Sequence, residues 1–153
     1  MKLIFNFLFC LLLTSCPENK IDAVQKANEI VNLFESNLLG DGEEGINKGN
    51  YVISSEESWR EFLNKINKVN EVSSRFESVV DFSKNIILIA VDEVKTSGGF
   101  GIKITELRDE KEKITVFVNR TQPSSEMVTM IMTQPINIVR INKTNKEIIF
   151  VER

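Results

Sequence analysis

Apolar residues recur at different intervals along this chain, and each interval predicts a different element. The six-residue run Ile86-Ile87-Leu88-Ile89-Ala90-Val91 is apolar on both faces. It is too short for a helix and predicts a central strand covered on both sides. Downstream the period is two. Phe100, Ile102 and Ile104 oppose Lys103 and Thr105, and Ile114, Val116 and Val118 alternate with Thr115, Phe117 and Asn119. Residues 128–132 and 136–141 predict one long strand bent near Gln134-Pro135, and residues 148–151 predict a closing strand after a turn at 142–146. Short polar turns between successive strands predict antiparallel pairing.

Upstream the interval is helical. Ile21, Val24, Ala27, Val31 and Phe34 predict an amphipathic helix over 21–34. A second helix is predicted over 55–68. Ser54 and Glu57 have the spacing of a capping box, and Trp59, Phe62, Leu63, Ile66 and Val69 form its apolar stripe, with Trp59 as core anchor. A short strand is expected at Tyr51-Val52-Ile53, after a glycine-dotted acidic loop. The pattern is that of an α+β domain: one or two N-terminal helices packed on the core face of a mainly antiparallel β-sheet.

The first residues stand apart. Met1-Lys2 is followed by the apolar stretches 3–5 and 7–13. One basic residue ahead of an apolar core of about ten residues is the layout of a secretory signal peptide, and the core falls short of the roughly 20 residues that span a bilayer. Leu13-Thr14-Ser15-Cys16 resembles the bacterial lipobox. That resemblance implies cleavage before Cys16 and acylation of its thiol, giving a leader at 1–15, a polar tether at 16–20 and one domain over 21–153. The partner of the anchor is then the membrane of the bacterial cell envelope, with the leaflet left open. Two or more acyl chains anchor stably where one does not.

Composition narrows the function. Cys10 leaves with the leader and Cys16 becomes a thioether, so the mature chain has no thiol and no disulfide. Nineteen Lys and Arg face 22 Asp and Glu, a net charge of −3. Phosphate binding relies on an excess of cations, which argues against nucleic acid as a partner. The chain has no histidine, which excludes Ser-His-Asp and Cys-His catalysis and the usual zinc sites. No metal, cofactor or catalytic residue is expected, and the chain reads as a non-enzyme.

Several segments invite a chemical reading. The glycines of 96–101 lead toward a strand, with no following Lys-Ser/Thr, so they suit a turn or bulge rather than phosphate. Asp41-Gly42-Glu43-Glu44-Gly45 lacks the ligand spacing of a calcium loop and reads as a solvated acidic loop. Asp92-Glu93 and the acids of 109–112 read as solubilising turn residues. Ser124-Ser125 has no visible lysine partner. Met127, Met130 and Met132 read first as core fillers and second as an adaptable binding surface.

Taken together, Leu39-Gly40, Gly45-Ile46, Tyr51-Val52-Ile53, Glu57-Ser58-Trp59, the stretch 80–84, the glycine-rich stretch 96–102, and Thr133-Gln134-Pro135 with 136–141 resemble the protease complex subunit PrcB family, above all its C-terminal domain. The resemblance runs from about Phe34 to Arg153. Ile136 departs from it, because members commonly carry an aromatic after that proline. It implies a secreted or lipid-anchored, non-catalytic protein that binds and stabilises an exported subtilisin-like protease. The partner surface is expected at Gly98, Gly99, Phe100 and Gly101 with Gln122, Pro123 and Ser124, where a strand edge accepts a partner strand. The alternative is a small-ligand or cell-wall-binding module with a pocket between helix and sheet.

Overall fold

The computed structural model describes residues 29–124 and 128–153. The leader, Cys16, the tether, most of the helix expected over 21–34, Ser125 and Met127 lie outside the described residues. The elements are β1 (Val31–Leu39), β2 (Gly49–Ile53), α1 (Glu56–Ile66), a 3-10 turn (Val72–Arg75), β3 (Asn85–Val91), β4 (Gly101–Asp109), β5 (Lys113–Thr121), β6 (Thr133–Asn142) and β7 (Glu147–Glu152). They form two sheets rather than one: a four-stranded sheet in the order β1-β6-β3-β2 and a three-stranded sheet in the order β4-β5-β7.

The larger sheet is the middle layer. Ile87, Ile89 and Val91 of β3 and Ile136 and Ile138 of β6 pack under α1 with Trp59, Phe62 and Ile66. Ile86, Leu88 and Ala90 turn the other way, onto Ile102, Ile104, Ile114, Val116 and Val118 of the second sheet. A strand between two cores must be apolar on both faces, which is what the sequence of β3 predicts. Helix α1 begins one residue later than its pattern suggests. Ser55 is the cap, its Oγ accepting from Ser58 N at 3.3 Å, and Ser54 and Glu57 form no capping box. Trp59 is buried, stacks on Phe62 at 5.9 Å and donates its indole N–H to the Ser78 carbonyl at 2.7 Å. Val69 lies past the helix end and is exposed.

The C-terminal part of the helix expected over 21–34 is instead β1. Val31 pairs with Arg140 and Phe34 with Ile138, and a bulge lies between Asn32 and Phe34. The extra residue places Val31 and Phe34, three apart, on one face of a strand, so a bulged strand imitates helical spacing. The closing strand also departs from expectation. β7 lies parallel to β5, because β6 is flanked by β1 and β3 and has no free side for a hairpin. Ile148 and Phe150 cover the second core instead.

The long bent strand expected from residue 128 begins only at Thr133, and Pro135 lies within it. Met130 is 90 % exposed and Met132 42 %, which overturns the core reading for both. In the acidic loop, Glu44 is buried and accepts from Asn70 Nδ2, so that loop is only partly solvated.

One buried side chain joins the two sheets. Asn137 of β6 accepts from Ile104 N of β4 at 2.8 Å and donates to the Phe34 carbonyl at 2.9 Å and to Asn32 Oδ1 at 2.8 Å. It therefore clasps the β1 bulge and β4 at once.

Candidate functional site

Antiparallel pairing of β4 with β5 sets Gly101 opposite Thr121. The residues ahead of β4 and those after β5 must therefore emerge side by side. They enclose a cleft of about 380 Å3 lined by Gly98, Gly99, Gln122, Pro123, Ser124, Val128 and Thr129. Five of the seven residues singled out in the sequence share this cleft. Phe100 and Gly101 do not line it. Phe100 is half-buried, its carbonyl accepting from Asn37 Nδ2 at 3.2 Å and its ring lying 5.0 Å from Lys95 Nζ. Gly101 belongs to a neighbouring groove of about 320 Å3 between β1 and β4.

The glycines are explained by the chain's own contacts. A Cβ on Gly98 would lie 2.5 Å from Thr129 Oγ1, and one on Gly101 would lie 2.6 Å from Thr121 Oγ1. Gly99 has φ +88°, a left-handed conformation that L side chains rarely adopt. Gly98 N also donates to the Thr129 carbonyl at 3.0 Å, which ties the two loops together. The loop runs into β4 and not into a helix.

Behind the loops sits a charge cluster that sequence reasoning missed. Asp92 follows directly on the buried run of β3 and is only 2 % exposed. Its carboxylate meets Lys48 at 3.4 Å, Lys95 at 3.3 Å and Arg120 at 3.2 Å. Its N–H donates to the Pro135 carbonyl, and its carbonyl accepts from Gln134 Nε2 at 3.0 Å. Gln134 is itself buried and also donates to the Ile46 carbonyl at 2.8 Å. Exposed Glu93 shares the same lysines, at 2.7 Å from Lys95 and 3.3 Å from Lys48. Asp92 is thus no solubilising turn residue. The usable signal was its place: an acid immediately after a strand buried on both faces is carried into the interior and needs cations.

Burial acts to raise the Asp92 pKa, but the Glu93 N–H, Lys95 and Arg120 outweigh it and hold the carboxyl below its ordinary value. Hydrogen bonds from Lys95 and Lys48 lower that of Glu93. The Glu93 hydrogen bond, with help from Asp92, raises that of Lys95 against the opposing effect of burial. A carboxyl working as a general acid near neutral pH requires the opposite displacement. This arrangement is suited to pinning loops. It ties the 92–98 loop to the 45–48 loop and to β5, and so supports one rim of the cleft.

The family model described as PrcB C-terminal matches residues 86–142, the segment from β3 through β6. Searches of the curated proteins and of the solved structures returned no match. The matched segment contains the doubly buried strand, the glycine loop, the cleft and the Asn137 clasp. Over that segment, the chain is similar to the PrcB C-terminal family.

Proposed function

We propose that this chain is a membrane-tethered lipoprotein, acylated on Cys16, that serves without catalysis of its own as a binding and stabilising subunit of an exported protease complex. The family match over 86–142 carries the proposal, since the family implies association with a protease complex. The absence of histidine and the salt-bridged state of Asp92 and Glu93 are in keeping with a binding role. The cleft formed by Gly98, Gly99, Gln122, Pro123 and Ser124 is the contact surface in this reading. Its rim is pinned by buried charge, and a preorganised surface loses less entropy on binding. The small-ligand alternative draws on the open clefts of about 320 to 460 Å3, at the low end for small-molecule sites.

The test is recovery of the protein from its native envelope after mild cross-linking. An exported subtilisin-like protease should co-purify in stoichiometric amount, and its half-life should fall at least several-fold in a strain lacking this chain. Repeated recovery of the lipoprotein alone, with protease turnover unchanged, would defeat the proposal.

A further inference from the structure

Sulfur is confined to one stretch of this domain. The chain has two cysteines, Cys10 and Cys16, and four methionines, Met1, Met127, Met130 and Met132. Past Cys16, every sulfur atom therefore lies within residues 127–132. Of the two described methionines there, Met130 is 90 % exposed and Met132 42 %. Trp59, another readily oxidised side chain, is buried at 3 % exposure. An oxidant in solution therefore meets this stretch first, because susceptibility follows access.

The backbone beneath these side chains is fixed. Lys95 N donates to the Thr133 carbonyl at 2.7 Å and Thr133 N to the Lys95 carbonyl at 3.0 Å. Gly98 N donates to the Thr129 carbonyl and Gly40 N to the Met132 carbonyl, each at 3.0 Å. Main-chain groups thus hold the ribbon 129–133 between two other stretches of chain. Neither Met130 nor Met132 belongs to either apolar core. Val128 and Thr129, next to them in the chain, line the cleft.

We propose that Met130, followed by Met132, is a site of reversible oxidation to the sulfoxide by hydrogen peroxide, which turns the apolar ribbon beside the cleft polar without loosening the fold. A lone pair on the thioether sulfur attacks one peroxide oxygen. The O–O bond breaks as the S–O bond forms, and the other oxygen leaves as water with the proton released from the sulfur-bound hydroxyl. Sulfur loses two electrons and the peroxide gains them. Methionine oxidation disrupts a core because a polar oxygen then stands among apolar side chains. Here the added oxygen on Met130 stays in water, and the bonds that hold the ribbon do not involve sulfur. This inference does not rest on the protease-complex reading.

The test treats the full chain in peroxide-free detergent with hydrogen peroxide, with N-acetylmethionine amide in the same solution as the rate reference. Fragment mass spectra place each added oxygen over time. Met130 should react within about threefold of the rate of the free amide, and Met132 more slowly than Met130. The chain oxidised at Met130 should keep its urea midpoint. The two epimer-specific sulfoxide reductases, supplied with a thiol reductant, should remove the oxygen. A Met130 rate more than about tenfold below that of the amide would show a covered sulfur and overturn the site. So would earlier reaction at Met132, a lowered midpoint, or a sulfoxide that the reductases leave in place. A chain that oxidises in this order yet recovers no protease from its envelope would defeat the protease-complex reading and leave this inference standing.

Discussion

Asn137→Leu is expected to lower the free energy of unfolding by about 4 kcal/mol, a large part of the roughly 5–15 kcal/mol typical of a domain. The leucine fills a similar volume but cannot answer the groups Asn137 holds. Ile104 N–H and the Phe34 carbonyl lose their side-chain partner at a fully buried residue. Each buried polar group left without a partner costs about 1–3 kcal/mol. The loss also strikes where the β1 bulge meets the second sheet, so cooperativity should suffer along with the midpoint. Urea unfolding followed by tryptophan fluorescence reads this directly, because Trp59, the one tryptophan, is buried in the core under α1. A loss below about 1 kcal/mol would show that the clasp does not hold the sheets together.

Asp92→Asn should cost about 2–3 kcal/mol at neutral pH. Removing one partner of a buried ion pair costs about 3–5 kcal/mol when the other charge stays buried. Here Lys95 and Arg120 keep partial access to water and retain Glu93 and Glu152, respectively, as partners, so the cost falls at or below the bottom of that range. The pH dependence has a definite sign. Asp92 and Glu93 titrate below their ordinary values of 3.8 and 4.5 in the folded chain. Their contribution is complete above those ordinary values and is lost as pH falls through the lowered folded ones. Lys95 titrates above its ordinary 10.5. Its contribution is complete below that value and is lost as pH rises through the raised one. Unfolding curves at pH 7, 4 and 2.5 should therefore show an acid limb that is shallower in Asp92→Asn than in the wild type. Parallel limbs would contradict the assigned role of the cluster.

The elements whose environment is written into their own residues were legible. β3 declares burial on both faces, β4 declares one buried face, and α1 declares an apolar stripe behind a serine cap; in β5 the alternation marks Ile114, Val116 and Val118, while Thr115 and Phe117 on the other face are buried as well. The cleft was legible for a related reason: a β4–β5 hairpin forces residues before Gly101 and after Thr121 into proximity. What escaped was decided between elements. The spacing of Val31 and Phe34 is ambiguous until β6 supplies a register with a bulge. β7 runs parallel to β5 because β6 has neighbours on both sides, which no local turn signal reveals. Asp92 looked solvated because its cations, Lys48, Lys95 and Arg120, come from three separate stretches of chain. Met130 and Met132 looked like core because composition says nothing of which loop leaves the sheet.

The protease-binding account makes the cleft of Gly98, Gly99, Gln122, Pro123 and Ser124 the surface that the partner grips. A photo-crosslinking amino acid placed at Ser124 in living cells tests that claim, with Lys111 in the β4–β5 turn at the opposite end of the hairpin as control. The account predicts one dominant adduct at Ser124 whose mass and peptides identify an exported protease, and none at Lys111. Equal labelling at both positions, or an adduct at Lys111 alone, would contradict it.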